Sequence, residues 1–161
     1  MDIDSIQKII GNSGITAELR DTEVGAIAQL FEVRKYKAGD VILAPGNTDL
    51  QDALLILGEG STEAKSPSGT VLGGLKPGDL AGIISFVGGD VSQISAVVVA
   101  KTDCKILFLP RAKFEKLLPT KPAIAYYLMR GIVRSVHGIA RQMDKKSEEM
   151  KSHLYGQMGL Y

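Results

Sequence analysis

Apolar positions change period along this chain, and each change marks an element. Ile3, Ile6, Ile9 and Ile10 recur at helical spacing, which predicts a short amphipathic helix over residues 2–11, closed by Gly11-Asn12. Asp21 reads as a helix N-cap with Glu23 in the first turn, and Val24, Ile27, Ala28 and Phe31 mark one helical face. From Val33 the period shortens. Tyr36, Val41 and Leu43 read as strand residues around a turn at Lys37-Ala-Gly-Asp40, and Pro45-Gly46-Asn47 turns again. Ala53–Leu57 predicts a buried strand ended by Gly58-Glu-Gly60. Ser61–Lys65 predicts a more exposed partner, followed by a hairpin turn at Ser66-Pro-Ser-Gly69. Val71–Leu75 leads into a second turn, Lys76-Pro-Gly-Asp79, much like the one at 37–40.

The stretch PGDLAGIISFVGGDVSQISAVVVA, residues 77–100, organises the rest. It predicts a strand ending in Gly82, one helical turn at Ile83–Phe86, a glycine loop at Gly88-Gly89 and a new strand from near Gln93. Val97-Val98-Val99 and Ile106–Leu109 are the most apolar strand runs, divided by a polar turn at Lys101-Thr-Asp103. Beyond Pro110 the pattern turns helical. Arg111–Leu118 predicts a short helix, Pro119 and Pro122 bracket a break, and a long helix follows to about Ser152, with Gly156 and Gly159 as helix-ending residues. Short strands at spacings of roughly 8–12 residues imply a mainly β, α+β fold, an antiparallel barrel or jelly roll with N-terminal helices and a long C-terminal helix. The expected division is an N-terminal helical segment (1–31), a barrel (32–110) and C-terminal helices (111–161), the long one spanning about 122–152.

Composition narrows the chemistry. The 161 residues are enough for one domain with a real core, and 45% hydrophobic with 23% charged residues is ordinary for a globular chain. A net charge of +1 from 19 basic and 18 acidic residues argues against a dedicated nucleic-acid surface. The acidic N-terminus has no secretory apolar core, and no run approaches the ~20 apolar residues that span a bilayer. With the lone Cys104, this favours a reduced, cytoplasmic setting. Enzymatic readings fail on residue supply. The two histidines, His137 and His153, both fall in the C-terminal segment, so a metal-binding barrel enzyme lacks ligands; no metal or cofactor is expected. Cys104 has no histidine near it in sequence and reads as core. Gly88-Gly89-Asp90 lacks the context of a nucleotide-binding motif.

The short helix after Gly82 points its backbone N–H groups toward a cleft, a natural seat for an anion. Yet no Lys, Arg or Glu occurs between Pro77 and Ala100; the only charges are Asp79 and Asp90. The segments YKAGDVILAPG, DALLILGEGS, LGGLKPGDLAG and SAVVVAKTDCKILFLPRAKFEKLL resemble, in order and spacing, a cyclic nucleotide-binding domain of the catabolite activator/fumarate-nitrate regulator superfamily. The resemblance covers about residues 20–145 and implies an eight-stranded jelly roll, a phosphate-binding cassette and a C-terminal helix that often dimerises. In that family a glutamate after the cassette glycine holds the ribose, and an arginine pairs with the cyclic phosphate. Here Gly82 matches the glycine, Ile83 stands at the glutamate position and Ile94 at the arginine position. The candidate cleft residues are therefore Gly82, Ile83, Ile84, Ser85, Gln93, Ile94, Ser95 and Ala96. Ile83 and Ile94 either fill the old pocket as core or leave room for a less charged ligand.

The tail places Ala125, Met129, Ile132, Val136, Ile139, Met143, Lys146 and Met150 at alternating spacings of 4 and 3, the mark of a helix–helix seam. Gly131 and Gly138, seven apart, invite a close partner backbone. A parallel homodimer through Met129, Ile132, Val136, Ile139 and Met143 is expected, the alternative being a stripe packed on the chain's own barrel. The charges at Lys145, Lys146, Glu148, Glu149 and Lys151 read as a solvated face. Only His153–Tyr161 follows, too little for a DNA-reading helix and its support, so no direct nucleic-acid contact is expected. The function expected is a stand-alone regulatory or protein-interaction module, not an enzyme, that has lost ordinary cyclic-nucleotide binding. The alternative is a sensor of a cyclic nucleotide or another small ligand, using backbone groups, Ser85, Ser95 and Gln93 in a non-standard cleft.

Overall fold

The computed structural model describes residues 1–46, 52–88 and 96–157. Helices α1 (Ile3–Asn12) and α2 (Asp21–Ala28) precede strands β1 (Glu32–Tyr36), β2 (Val41–Leu43), β3 (Ala53–Glu59), β4 (Thr62–Lys65), β5 (Val71–Gly73) and β6 (Leu80–Ala81). The one-turn helix α3 (Ile83–Phe86) follows, then β7 (Val97–Ala100), β8 (Cys104–Pro110), α4 (Arg111–Glu115) and α5 (Pro122–Gln157). The strands form two antiparallel sheets, ordered β1-β8-β3-β6 and β2-β7-β4-β5. This is the expected jelly roll, mainly β, with helices at both ends of the chain.

Period and burial agree strand by strand. In β3, Ala53, Leu55 and Leu57 enter the core between the two sheets, where they meet Ile42, Val98, Ala100, Ile106 and Phe108. Leu54 and Ile56 point the other way, into a second core shared with Leu107, Leu109 and the helical residues Ile6, Ile10, Ile27, Leu128 and Ile132. Helices therefore cover the outer face of the first sheet. A strand buried on both faces has no polar side to alternate with, which is why ALLIL and ILFL read as unbroken apolar runs.

The two Lys-x-Gly-Asp turns close alike. Lys37 N–H donates to Asp40 at 2.7 Å and Lys76 N–H to Asp79 at 2.8 Å, while Gly39 and Gly78 take φ near +93° and +94°. That is left-handed backbone in which glycine has no steric cost. Asp103 accepts from Ala38 N–H and from Lys37 Nζ, each at 3.0 Å, tying the 101–103 turn to the first of these turns. Those hydrogen bonds hold its carboxyl below the usual aspartate value.

Several boundaries differ from the sequence reading. Arg20, not Asp21, is the N-cap of α2, and Glu23 accepts its backbone N–H at 2.8 Å. Strand β5 stops at Gly73, short of Leu75. Helix α4 ends at Glu115, short of Leu118. Helix α5 runs through Gly156 to Gln157, because one glycine costs a helix only about 1 kcal/mol. At 36 residues it is about 54 Å long.

Candidate functional site

Strand β6 ends at Ala81, and Gly82 then turns the chain into α3 with φ +72°. A Cβ on Gly82 would stand 2.6 Å from the Ala53 carbonyl oxygen and 2.8 Å from Leu55 Cδ1, so both conformation and space require glycine here. Ile83, the first residue of α3, is partly buried and packs against the helical core. Ile84 faces outward at 51% exposure. Ser85 is buried, and its hydroxyl accepts the Asp52 backbone N–H at 2.6 Å. Ala96 is partly buried just before β7. Gln93, Ile94 and Ser95, together with the strand expected to begin near Gln93, lie outside the described residues.

Asp52 is a junction that the sequence reading missed. It is the only non-glycine among the described residues with positive φ, at +61°. Its N–H goes to Ser85, its carbonyl accepts from Arg111 N–H at 2.6 Å, and its carboxylate pairs with Arg111 Nη2 at 3.0 Å. Arg111 reaches Glu115 as well, at 3.8 Å. A Cβ on Gly88 would lie 2.9 Å from Arg111 Nη1, so the glycine lets the guanidinium pass beside the end of α3. Beside these polar links, the rings of Phe86 and Phe114 stand 5.3 Å apart. A cation thus lies against the cassette, but two carboxylates already hold it. Offering it to a phosphate would mean breaking an ion pair.

The expected seam on α5 divides. Ala125 and Ile132 are buried in the chain's own core, Ile132 at 1% exposure, and Met129 packs partly against that core. Ile132 therefore does not present itself to a second chain, contrary to its expected place in the seam. Val136, Ile139 and Met143 are exposed, with Val133, Met150 and Leu154. Gly131 has an internal explanation: a Cβ there would stand 2.7 Å from Ile15 Cα and collide with the Ile15 carbonyl. Gly138 has nothing within 4 Å. The sequence reading also missed Glu18, whose carboxylate pairs with Arg130 and Arg134, each at 3.1 Å.

Cys104 is buried at the start of β8, its thiol donating to the carbonyls of Ser61 at 3.3 Å and Thr102 at 3.2 Å. That is a packed core residue rather than a poised nucleophile. No group of three or more His, Cys, Asp or Glu side chains among the described residues could hold a metal ion. No helix among them is long and apolar enough to cross a membrane.

Comparison with known proteins fits this geometry. A family model described as cyclic nucleotide-binding domain matches residues 33–121. A transcriptional regulator of Mycobacterium tuberculosis, HTH-type regulator Cmr, is 29% identical over 81% of this chain and 53% of its own length. The cAMP-dependent protein kinase regulatory subunit of Aspergillus niger is 33% identical over 65% of this chain and 25% of its own length. The chain thus spans about half or less of the length of these curated relatives. Among solved structures, a cyclic nucleotide-binding domain from Methylobacillus flagellatus superposes with TM-score 0.76 at 18% identity, covering 89% of this chain and 81% of that one. With the two sheets, the left-handed Gly82 and the helix that follows it in place, the chain belongs to the cyclic nucleotide-binding domain family.

Proposed function

We propose that this chain is a regulatory, protein-interaction module that keeps the cyclic nucleotide-binding fold but has lost ordinary cyclic-nucleotide affinity. One observation carries the reading: the residue after Gly82 is Ile83, turned into the helical core, in an interval from Pro77 to Ala100 that holds no Glu, Arg or Lys. Charge-assisted hydrogen bonds contribute about 1.5–3 kcal/mol each, so losing two weakens binding by about two to four orders of magnitude. The burial of Ser85, whose hydroxyl oxygen accepts from Asp52 N–H, also weighs against Ser85 as a ligand contact in the alternative sensor. The module acts as a cytoplasmic homodimer through α5. Support for the dimer is the uncovered apolar stripe of Val133, Val136, Ile139, Met143, Met150 and Leu154.

Restoring the missing charges tests the reading. The double variant Ile83→Glu with Ile94→Arg is expected to bind cyclic AMP at least tenfold more tightly than the parent chain in titration calorimetry. A variant that keeps its circular dichroism yet gains nothing would mean that the cleft has lost shape as well as charge.

A further inference from the structure

Helix α5 has one apolar face, buried in its first half and exposed further along, and a basic face with no role so far. Ile124, Ala125, Leu128 and Ile132 enter the core, and Val136, Met143 and Met150 form the exposed apolar stripe. The basic face carries Arg130, Arg134, Arg141 and Lys145, all exposed and spaced by 4, 7 and 4 residues. At 3.6 residues per turn these spacings line up along one side of the helix, away from the apolar face.

The first half of this stripe is already occupied. Glu18, in the segment between α1 and α2, sets its carboxylate between Arg130 Nη2 and Arg134 Nη1, at 3.1 Å from each. Gly131 lets the Ile15 backbone lie against the helix at the same level. The chain itself therefore displays the chemistry that fits the stripe: a carboxylate between basic residues one turn apart. Arg141 and Lys145 repeat that spacing two turns further on, and neither makes an ion pair among the described residues.

We infer that Arg141 and Lys145, continuing from Arg134, dock an acidic helical segment of a partner protein whose carboxylates extend the pattern Glu18 begins. The inference rests on the interaction-module reading and names the partner's chemistry. Charge decides the class of occupant. A nucleic-acid backbone running along the helix would meet Glu148 and Glu149 within one turn of Lys145, and the chain carries a net charge of only +1. An acidic segment about two turns long needs to span only Arg141 and Lys145.

The test uses the full chain and a labelled synthetic helical peptide with glutamates at four-residue spacing. Its glutamine counterpart and a single-stranded oligonucleotide of equal charge are the controls, read by fluorescence anisotropy at physiological ionic strength. The expected result is binding of the glutamate peptide at least tenfold tighter than either control, and loss of that preference in Arg141→Glu with Lys145→Glu. Equal binding of the glutamine peptide, tighter binding of the oligonucleotide, or a preference that survives the double reversal would each overturn the inference. Both substitutions lie far along α5 from the α3 cleft. A failure of the peptide test therefore sinks this inference while leaving the nucleotide titrations as they were, whereas cyclic-nucleotide binding by the parent chain would sink the module reading on which it rests.

Discussion

Two glycines seven residues apart on α5 show how much a single position owes to its surroundings. Gly131 stands where any side chain would strike the Ile15 backbone, while Gly138 faces open space. The same substitution should then have opposite signs. Gly131→Ala is expected to destabilise the chain by about 1–3 kcal/mol, because a rigid backbone must move to admit the methyl. Gly138→Ala is expected to stabilise it by about 1 kcal/mol through helix propensity. Chemical denaturation of the two variants checks both signs, and equal effects would show that Gly131 is not a packing glycine. In sequence the two were indistinguishable, each preceding an isoleucine. Only the neighbour supplied by the N-terminal segment separates them. The Ser85–Asp52–Arg111 junction was hidden for the same reason, since its partners are distant in sequence and no local spacing announces them. The Lys-x-Gly-Asp turns were legible because every group that closes them lies within four residues.

Elements whose pattern is set by burial on known faces were read correctly from sequence, and those shared between neighbours were not. Strand β3 was legible from its apolar run, although the run could not say that a second layer of helices covers it. On α5 a heptad count finds apolar positions but not which face is already covered. Ile132 and Ile139 thus fell in one expected seam, while the fold buries the first and exposes the second at 45%. For the proposed dimer, this moves the informative substitutions outward along the helix. Val136→Lys with Met143→Lys is expected to convert a dimer to a monomer in light scattering at micromolar concentration, with circular dichroism unchanged. Ile132→Ala should instead destabilise the fold by about 2–5 kcal/mol, as a buried truncation does. A parent chain that is already monomeric would remove the dimer.

At the scale of the whole molecule, the family fold is in place, and the proposal turns on the cleft it encloses. Gly82 keeps its left-handed turn against the Ala53 carbonyl, and α3 keeps its place on the outer core. The interval from Pro77 to Ala100 holds no Glu, Arg or Lys, and Arg111, beside the end of α3, is paired with Asp52 and Glu115. The fold was legible in the glycines and strand runs. The cleft was legible only as a lack of charges, and residues 93–95 fall outside what the structure describes. Titration calorimetry of the unmodified chain with cyclic AMP and cyclic GMP addresses this most directly. Neither nucleotide should give a saturable heat in the micromolar range; stoichiometric micromolar binding of either one would mean that the cleft still senses its family's ligand without its family's charges.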